Sequence, residues 1–381
     1  MGGMKRRLAT LVSGRALIVV WALTLLLLAA GAIYLQLSYT PPPPAAPTAA
    51  APEAAETAPD SGPPSDTAAL ASDAEPAAAS TEDAKPAAPA AAEAEPAPGP
   101  DEGTGVSGGV RVALAPAPDP DLVESGPHGL LPVRAPDGRQ PWRAYARPFL
   151  GDPVAPRVAL VIMEVGLGAA STKAAIDALP PEVTLAISPY AKDPQEVARR
   201  ARAAGHEVLL MVPMEPRDYP KNDPGPHVLR VERPADEVLD NLHHVMSRFQ
   251  GYVGIVNHMG SRFTTERAAV DIVIGDLAQR GLLVLDSRAA PDSLLDKAAA
   301  AAGLPHVAND RFIDADPSAR EIDRNLETLV RLAGTRGHAV GIGRPYPVTI
   351  ERIRRFAGGL AGRGVVLVPL SAVARQDGQR P

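Results

Sequence analysis

Four times in the second half of the chain, a helical-looking stretch runs into a glycine and then directly into an apolar run. The segments are RAAGHEVLLMVPM (202–214), AQRGLLVLDS (278–287), GTRGHAVGIG (334–343) and AGRGVVLVPL (361–370). Glycine accepts the left-handed conformation that closes a helix. A short apolar run behind such a stop reads as a buried strand. Strands separated each time by a helix are parallel, and a parallel sheet must be covered on its faces. The pattern predicts strands near 158–163, 183–187, 207–212, 252–256, 282–286, 306–308, 338–342 and 365–369. Helices are expected near 170–179, 193–204, 235–249, 265–280, 291–302, 318–333 and 348–362. Pro234, Thr264-Thr265 and Pro291-Asp292 supply helix-start signals. Seven or eight βα units within about 220 residues predict an α/β fold built as a closed or nearly closed barrel, with an open doubly wound sheet as the alternative.

The rest of the chain has a different composition. Residues 16–35 carry no charge, and twenty apolar residues match the roughly 30 Å thickness of bilayer hydrocarbon. Lys5, Arg6, Arg7 and Arg15 all precede this run, which places the N-terminus in the cytoplasm by the positive-inside rule. The expectation is a single-pass inner-membrane protein with its folded domain in the periplasm. A cleaved signal peptide is the rival reading. Residues 41–125 are rich in Pro, Ala and acidic residues, and a stretch of this kind buries too little apolar surface to offset its conformational entropy. The resulting division is 1–40 basic tip and anchor, 41–125 disordered linker, 126–155 lead-in without regular pattern, 156–376 folded domain and 377–381 tail.

Charge follows the same division. The chain totals −6, of which residues 41–102 carry −11 and residues 1–40 carry +4, leaving residues 103–381 at +1. A near-neutral domain offers no nucleic-acid footprint. The absence of cysteine excludes disulfides and thiolate metal sites.

Strand carboxyl ends converge on one site in barrels of this kind. That rule selects Met163-Glu164, Met214-Glu215, Asn257-His258, Asp286-Ser287-Arg288, Asn309-Asp310 and Gly343-Arg344. His258 has the chemistry of a metal ligand, or of a histidine bonded to loop backbone. Asp286 reads as a partner for His258, as a metal ligand, or as an ordinary loop cap. The Pro-rich excursion 213–227 reads as a pocket rim or a structural flap. GIGRPYP (341–347) and GLGAAS (166–171) lack the spacing of a dinucleotide fingerprint, and no nucleophile elbow occurs.

Taken together, ALVI and VGLG (159–168, around Met163-Glu164), GHEVLLMVPMEP (205–216), NHMGSRFT (257–264), LLVLDSR (282–288) and GIGRPYP (341–347) resemble the divergent polysaccharide deacetylase family, in order and spacing, from about 155 to 376. The resemblance implies a distorted (β/α) barrel related to metal-dependent carbohydrate deacetylases. In these, a divalent metal such as zinc activates water to hydrolyse an acetamide. It also implies an Asp-Asp pair after the first strand, where this chain has Met163 and Glu164, and a Gly-His-Pro where it has Gly343-Arg344-Pro345. On this footing Glu164, Asp286 and Arg288 are the catalytic candidates. Glu164 and His258 are the metal candidates, with Asp286 as a third ligand if the site is active. Glu215, Asn257, Ser261 and Arg344 are expected to line a substrate pocket. Two functions follow: a glycan-directed domain with a degraded metal site and weak or absent catalysis, or an active metal-dependent hydrolase removing N-acetyl groups. The expected partners are a glycan and, through the N-terminal helix, a membrane.

Overall fold

A computed structural model describes residues 112–149, 151–152 and 154–376. Its centre is β3 (Arg157–Val165), nine residues with the apolar run VALVIM fully enclosed. A run apolar on both faces suits a parallel strand covered on each side. Around it lie β4 (Thr184–Ile187), β5 (Val208–Met214), β6 (Gly254–Met259), β7 (Leu283–Asp286), β8 (His306–Ala308), β9 (Arg311–Phe312), β10 (His338–Gly343) and β11 (Val366–Val368). The order is β8-β7-β6-β5-β4-β3-β10-β9, with every pairing parallel and β11 against β3. The connecting helices are α1 (Ala169–Ala178), α2 (Pro194–Ala203), α3 (Ala235–Met246), α4 (Arg267–Arg280), α5 (Leu295–Ala301), α6 (Ala319–Arg336) and α7 (Pro347–Leu360).

Side-chain alternation divides the interior in two. Val158, Leu160 and Ile162 of β3 join Leu185, Leu210 and Ile255 in the core that includes the helix residues Ile176, Leu242 and Leu329. Ala159, Val161 and Met163 join Leu209, Met211, Val256 and Ile342 on the other face, which Leu122, Trp142 and Tyr145 from the N-terminal segment help to fill.

The sheet is a parallel half-barrel, so the expected α/β arrangement of parallel strands and helices is present while the closed or nearly closed ring is not. β8 and β9 stand at its two ends although only Asn309 and Asp310 separate them in sequence. Those two residues cross the seam, with Asn309 N–H donating to the Asp286 carbonyl at 2.9 Å and Asp310 N–H to the Val340 carbonyl at 2.9 Å. β3 is shared on one edge: Val161 and Ile162 face β4, whereas Arg157 to Ala159 face β11. A three-residue β11 lying there does not extend the ring.

A hairpin, β1 (Val123–Gly126) and β2 (Gly129–Pro132), straddles the boundary between the expected disordered linker, which ran to residue 125, and the lead-in expected to lack regular pattern. It is held by tertiary contacts: His128 Nε2 lies 2.7 Å from Asp240, and Gln250 donates to the Leu130 carbonyl at 2.6 Å. Only Leu131 and Pro132 of its strands are buried, so it left little hydrophobic signal.

The inner-membrane placement is also corrected. Among the described residues no helix is long and apolar enough to cross a membrane. Residues 16–35, the linker up to residue 111 and the 377–381 tail lie outside the described residues, whereas residues 112–125, expected in the disordered linker, are described and bury Leu122 completely.

Candidate functional site

A cavity of about 220 Å³ opens at the carboxyl ends of the strands, lined by Met163, Glu164, Asn257, His258, Asp314 and Arg344 among others. Adjacent strand residues ordinarily point to opposite faces, yet Met163 and Glu164 both reach this cavity. The register explains it: Ile162 pairs with Leu185 and Val165 with Ile187, so β3 carries one extra residue there. Such a bulge re-aims side chains next to functional sites. Glu164 sits at φ 63, Met259 at φ 55 and Arg288 at φ 53, all left-handed and all at or just beyond strand ends. Each costs of order 1 kcal/mol for a residue with a Cβ, so the surrounding fold must impose it.

Arg344 Nε donates to Glu164 Oε1 at 3.1 Å. Both are part-exposed, with side-chain accessibilities of 41% and 29%, so the pair is worth no more than about 1 kcal/mol. Burial works against the charged Arg344, but the charge and hydrogen bond of Glu164 outweigh it and hold the guanidinium pKa above its ordinary value. Burial lowers the His258 pKa; Glu164 pulls it back up and Arg344 pushes it further down. The imidazole is therefore neutral at pH 7. The backbone of Arg344 is fixed by Asp314, whose Oδ2 accepts from Arg344 N–H at 2.7 Å and from the Thr349 hydroxyl at 2.9 Å. Burial raises the Asp314 pKa. Sequence reasoning missed Asp314 because the preceding strand is only Arg311-Phe312, too short to reveal a strand end.

Asn257 lines the cavity with its amide fully engaged. It accepts from Ser287 N–H and donates to the Met259 carbonyl, both at 2.8 Å, tying the end of β6 to that of β7. Four expected site residues lie elsewhere. Asp286 is buried and caps its own loop, accepting from Arg288 N–H at 2.8 Å and Asp296 N–H at 3.4 Å. Glu215 is buried and bonded to Val231 N–H and to Arg262 at 2.8 and 2.7 Å, which pins the Pro-rich excursion. The Ser261 hydroxyl accepts from Arg217 N–H at 3.1 Å. Arg288 is exposed and faces a different cavity, at the barrel seam.

These residues do not fit a zinc centre. Such a centre takes three or four nitrogen, sulfur or carboxylate donors. Here the strand-end cavity offers one imidazole, a Glu164 carboxylate already paired with a cation and the Asp314 carboxylate, whose Oδ2 is taken by Arg344 N–H and Thr349, while Met163 has no charge to give. Among the described residues no group of three or more His, Asp or Glu side chains is placed to hold a metal ion.

Residues 160–374 match the family model described as divergent polysaccharide deacetylase. The crystal structure of the uncharacterized protein ATU2773 from Agrobacterium tumefaciens superimposes with a TM-score of 0.63 and 37% identity, covering 64% of this chain and 99% of that one. The uncharacterized protein YibQ of Escherichia coli is 28% identical over 208 residues, 54% of this chain and 64% of the relative, so the match spans less than two thirds of that protein. An uncharacterized protein of Haemophilus influenzae is 29% identical over 194 residues, 51% of this chain and 68% of the relative.

Proposed function

Because the chain belongs to the divergent polysaccharide deacetylase family, we propose that it acts on a glycan, and that its strand-end cavity binds a carbohydrate group in place of metal-dependent hydrolysis. The observation that carries this reading is the Glu164–Arg344 pair. It sets a cation against Glu164, the carboxylate at the strand end where a metal would need an uncommitted ligand. A volume of about 220 Å³ lies below the roughly 300–1,000 Å³ of ordinary ligand pockets, so the cavity suits one small substituent of a longer chain. Neutral His258, Glu164 and Arg344 supply acceptors and donors for hydroxyl and amide groups. Tyr346 is exposed, its ring centroid 6.0 Å from the Arg344 guanidinium carbon, and offers an aromatic face beside the mouth for a sugar ring.

The test is calorimetric titration of the purified protein with an N-acetylglucosamine tetramer, in EDTA and again in zinc, with acetate release followed in parallel. We expect binding that is indifferent to EDTA, at least tenfold weaker in Arg344→Gln, and no acetate. Zinc retained near one per chain by the native protein and lost in His258→Ala, together with acetate release, would establish the hydrolase instead. The paired substitution Met163→Asp with Arg344→His is expected to gain zinc binding, because it adds two donors and removes the cation.

A further inference from the structure

The seam of the half-barrel holds a second cavity, of about 160 Å³, separate from the strand-end site. Because β8 and β9 do not pair with each other, the first residues of β8 and β10, His306 and His338, both line this gap. The C-terminal segment helps to close it: Arg375 forms an antiparallel bridge with His306, its N–H and carbonyl bonded to the His306 backbone at 3.1 and 3.0 Å. Three guanidiniums from three different elements line the cavity. Arg288 comes from the loop after β7, Arg336 from the last turn of α6 and Arg375 from that bridge. They outnumber the two lining carboxylates, Asp296 and Asp310. Asp310 is already committed, to Arg336 at 3.0 Å and to Val340 N–H at 2.9 Å. The guanidinium of Arg288 makes no ion pair with any described residue, and its backbone is held at φ 53.

We propose that this seam cavity is a binding site for a phosphate-type dianion, free or as a phosphate monoester. Guanidinium forks match tetrahedral oxyanions, and cations arriving from three directions suit a ligand with several charged oxygens better than a planar carboxylate. The histidines complete the shell. His306 Nδ1 donates to the Leu304 carbonyl at 2.9 Å, so the neutral ring presents Nε2 as an acceptor for the P–OH of hydrogen phosphate. His338 Nε2 lies 3.4 Å from Arg375 Nη2. Burial and the neighbouring Arg375 charge hold the His338 pKa down, so a bound anion would raise it. The cavity is too small for a sugar chain, and nothing in the argument depends on the proposed function of the strand-end site.

The test uses the full chain in low-salt buffer, titrated with inorganic phosphate and followed by the NMR signals of His306 and His338 and by calorimetry. Saturable binding is expected, with an upward shift of the His338 titration. Arg288→Gln should weaken binding severalfold, and Arg288→Gln with Arg375→Gln by at least tenfold. Acetate should bind at least tenfold more weakly than phosphate. A sugar 6-phosphate distinguishes the sources: tighter binding than inorganic phosphate identifies an ester ligand, weaker binding the free ion. Arg288 is exposed and makes no ion pair with any described residue, so Arg288→Gln should keep the native melting temperature and serve as the folded control. No saturation, unchanged affinity in the folded Arg288→Gln variant, or loss of binding in His258→Ala would each overturn the site.

Discussion

Two glutamates stand at opposite ends of the sheet, and the protein treats them in opposite ways. Glu207, just before β5, is fully buried and receives hydrogen bonds from Arg147 N–H, Ser371 N–H and the hydroxyls of Thr184 and Ser371. These bonds join the N-terminal segment and the residues after β11 to the base of the sheet. Glu164, at the end of β3, is part-exposed, sits in a left-handed conformation on a bulge and faces one part-exposed arginine. The first carboxylate is embedded in the fold; the second is held in place at the expense of local strain. This is the division expected of α/β barrels, where the amino ends of strands serve stability and the carboxyl ends serve function.

The largest effect that would test the contrast is at the base. Glu207→Ala leaves several buried donors unsatisfied and should cost about 3 kcal/mol or more, measured by urea unfolding. A loss below that of Glu164→Ala would break the comparison. Next in size is a pH effect. Burial raises the Glu207 pKa, despite the four donors, from a model-peptide value of 4.5. The folded state thus holds the proton more tightly than the unfolded chain does. The stability from this group is complete below about pH 4.5 and is lost as pH rises through the folded pKa. Unfolding midpoints across that window should fall more steeply with rising pH in the native protein than in Glu207→Gln, where the other buried carboxylates, such as Asp314, still titrate.

At the other end, Glu164→Gly and Glu164→Ala both remove the carboxylate, and only the glycine relieves the backbone. The glycine variant should be the more stable of the two by about 1 kcal/mol. Equal stabilities would mean that the bulge stores no strain. The smallest effect belongs to His258. Its lowered pKa favours the neutral form when folded, so its stabilisation is present above about pH 6.5 and is lost as pH falls through the folded value. Substitution by glutamine should flatten that acid-side loss by less than the glycine–alanine difference.

Much of this was legible in the residues. Glycine stops before apolar runs located the strands: the predicted 306–308 is β8 as observed, and 158–163 differs from β3 only at its ends. The strand-end rule found Glu164, Asn257, His258 and Arg344, which do share a cavity. It also selected Glu215 and Asp286, because a carboxylate that caps a loop and one that faces a ligand look the same in sequence. The hairpin at 123–132 escaped notice because its strands are four residues long and depend on Asp240 and Gln250, more than a hundred residues away.

The sequence by itself determined the alternation of strand and helix and the parallel sheet, since these follow from local periodicity and glycine stops, and the order of its strand-end motifs carried the resemblance to the family. It also determined that Met163 and Arg344 stand where the family resemblance leads one to expect an acid and a histidine. Only the tertiary structure decided that the barrel stays open at β8 and β9, that one extra residue in β3 turns both Met163 and Glu164 into the cavity, and that Arg288 faces the seam. The physical reason is range. Periodicity is set by neighbours a few residues apart, whereas a register shift, a ring left unclosed and the pairing of Glu164 with Arg344 depend on groups that meet only after the chain has folded.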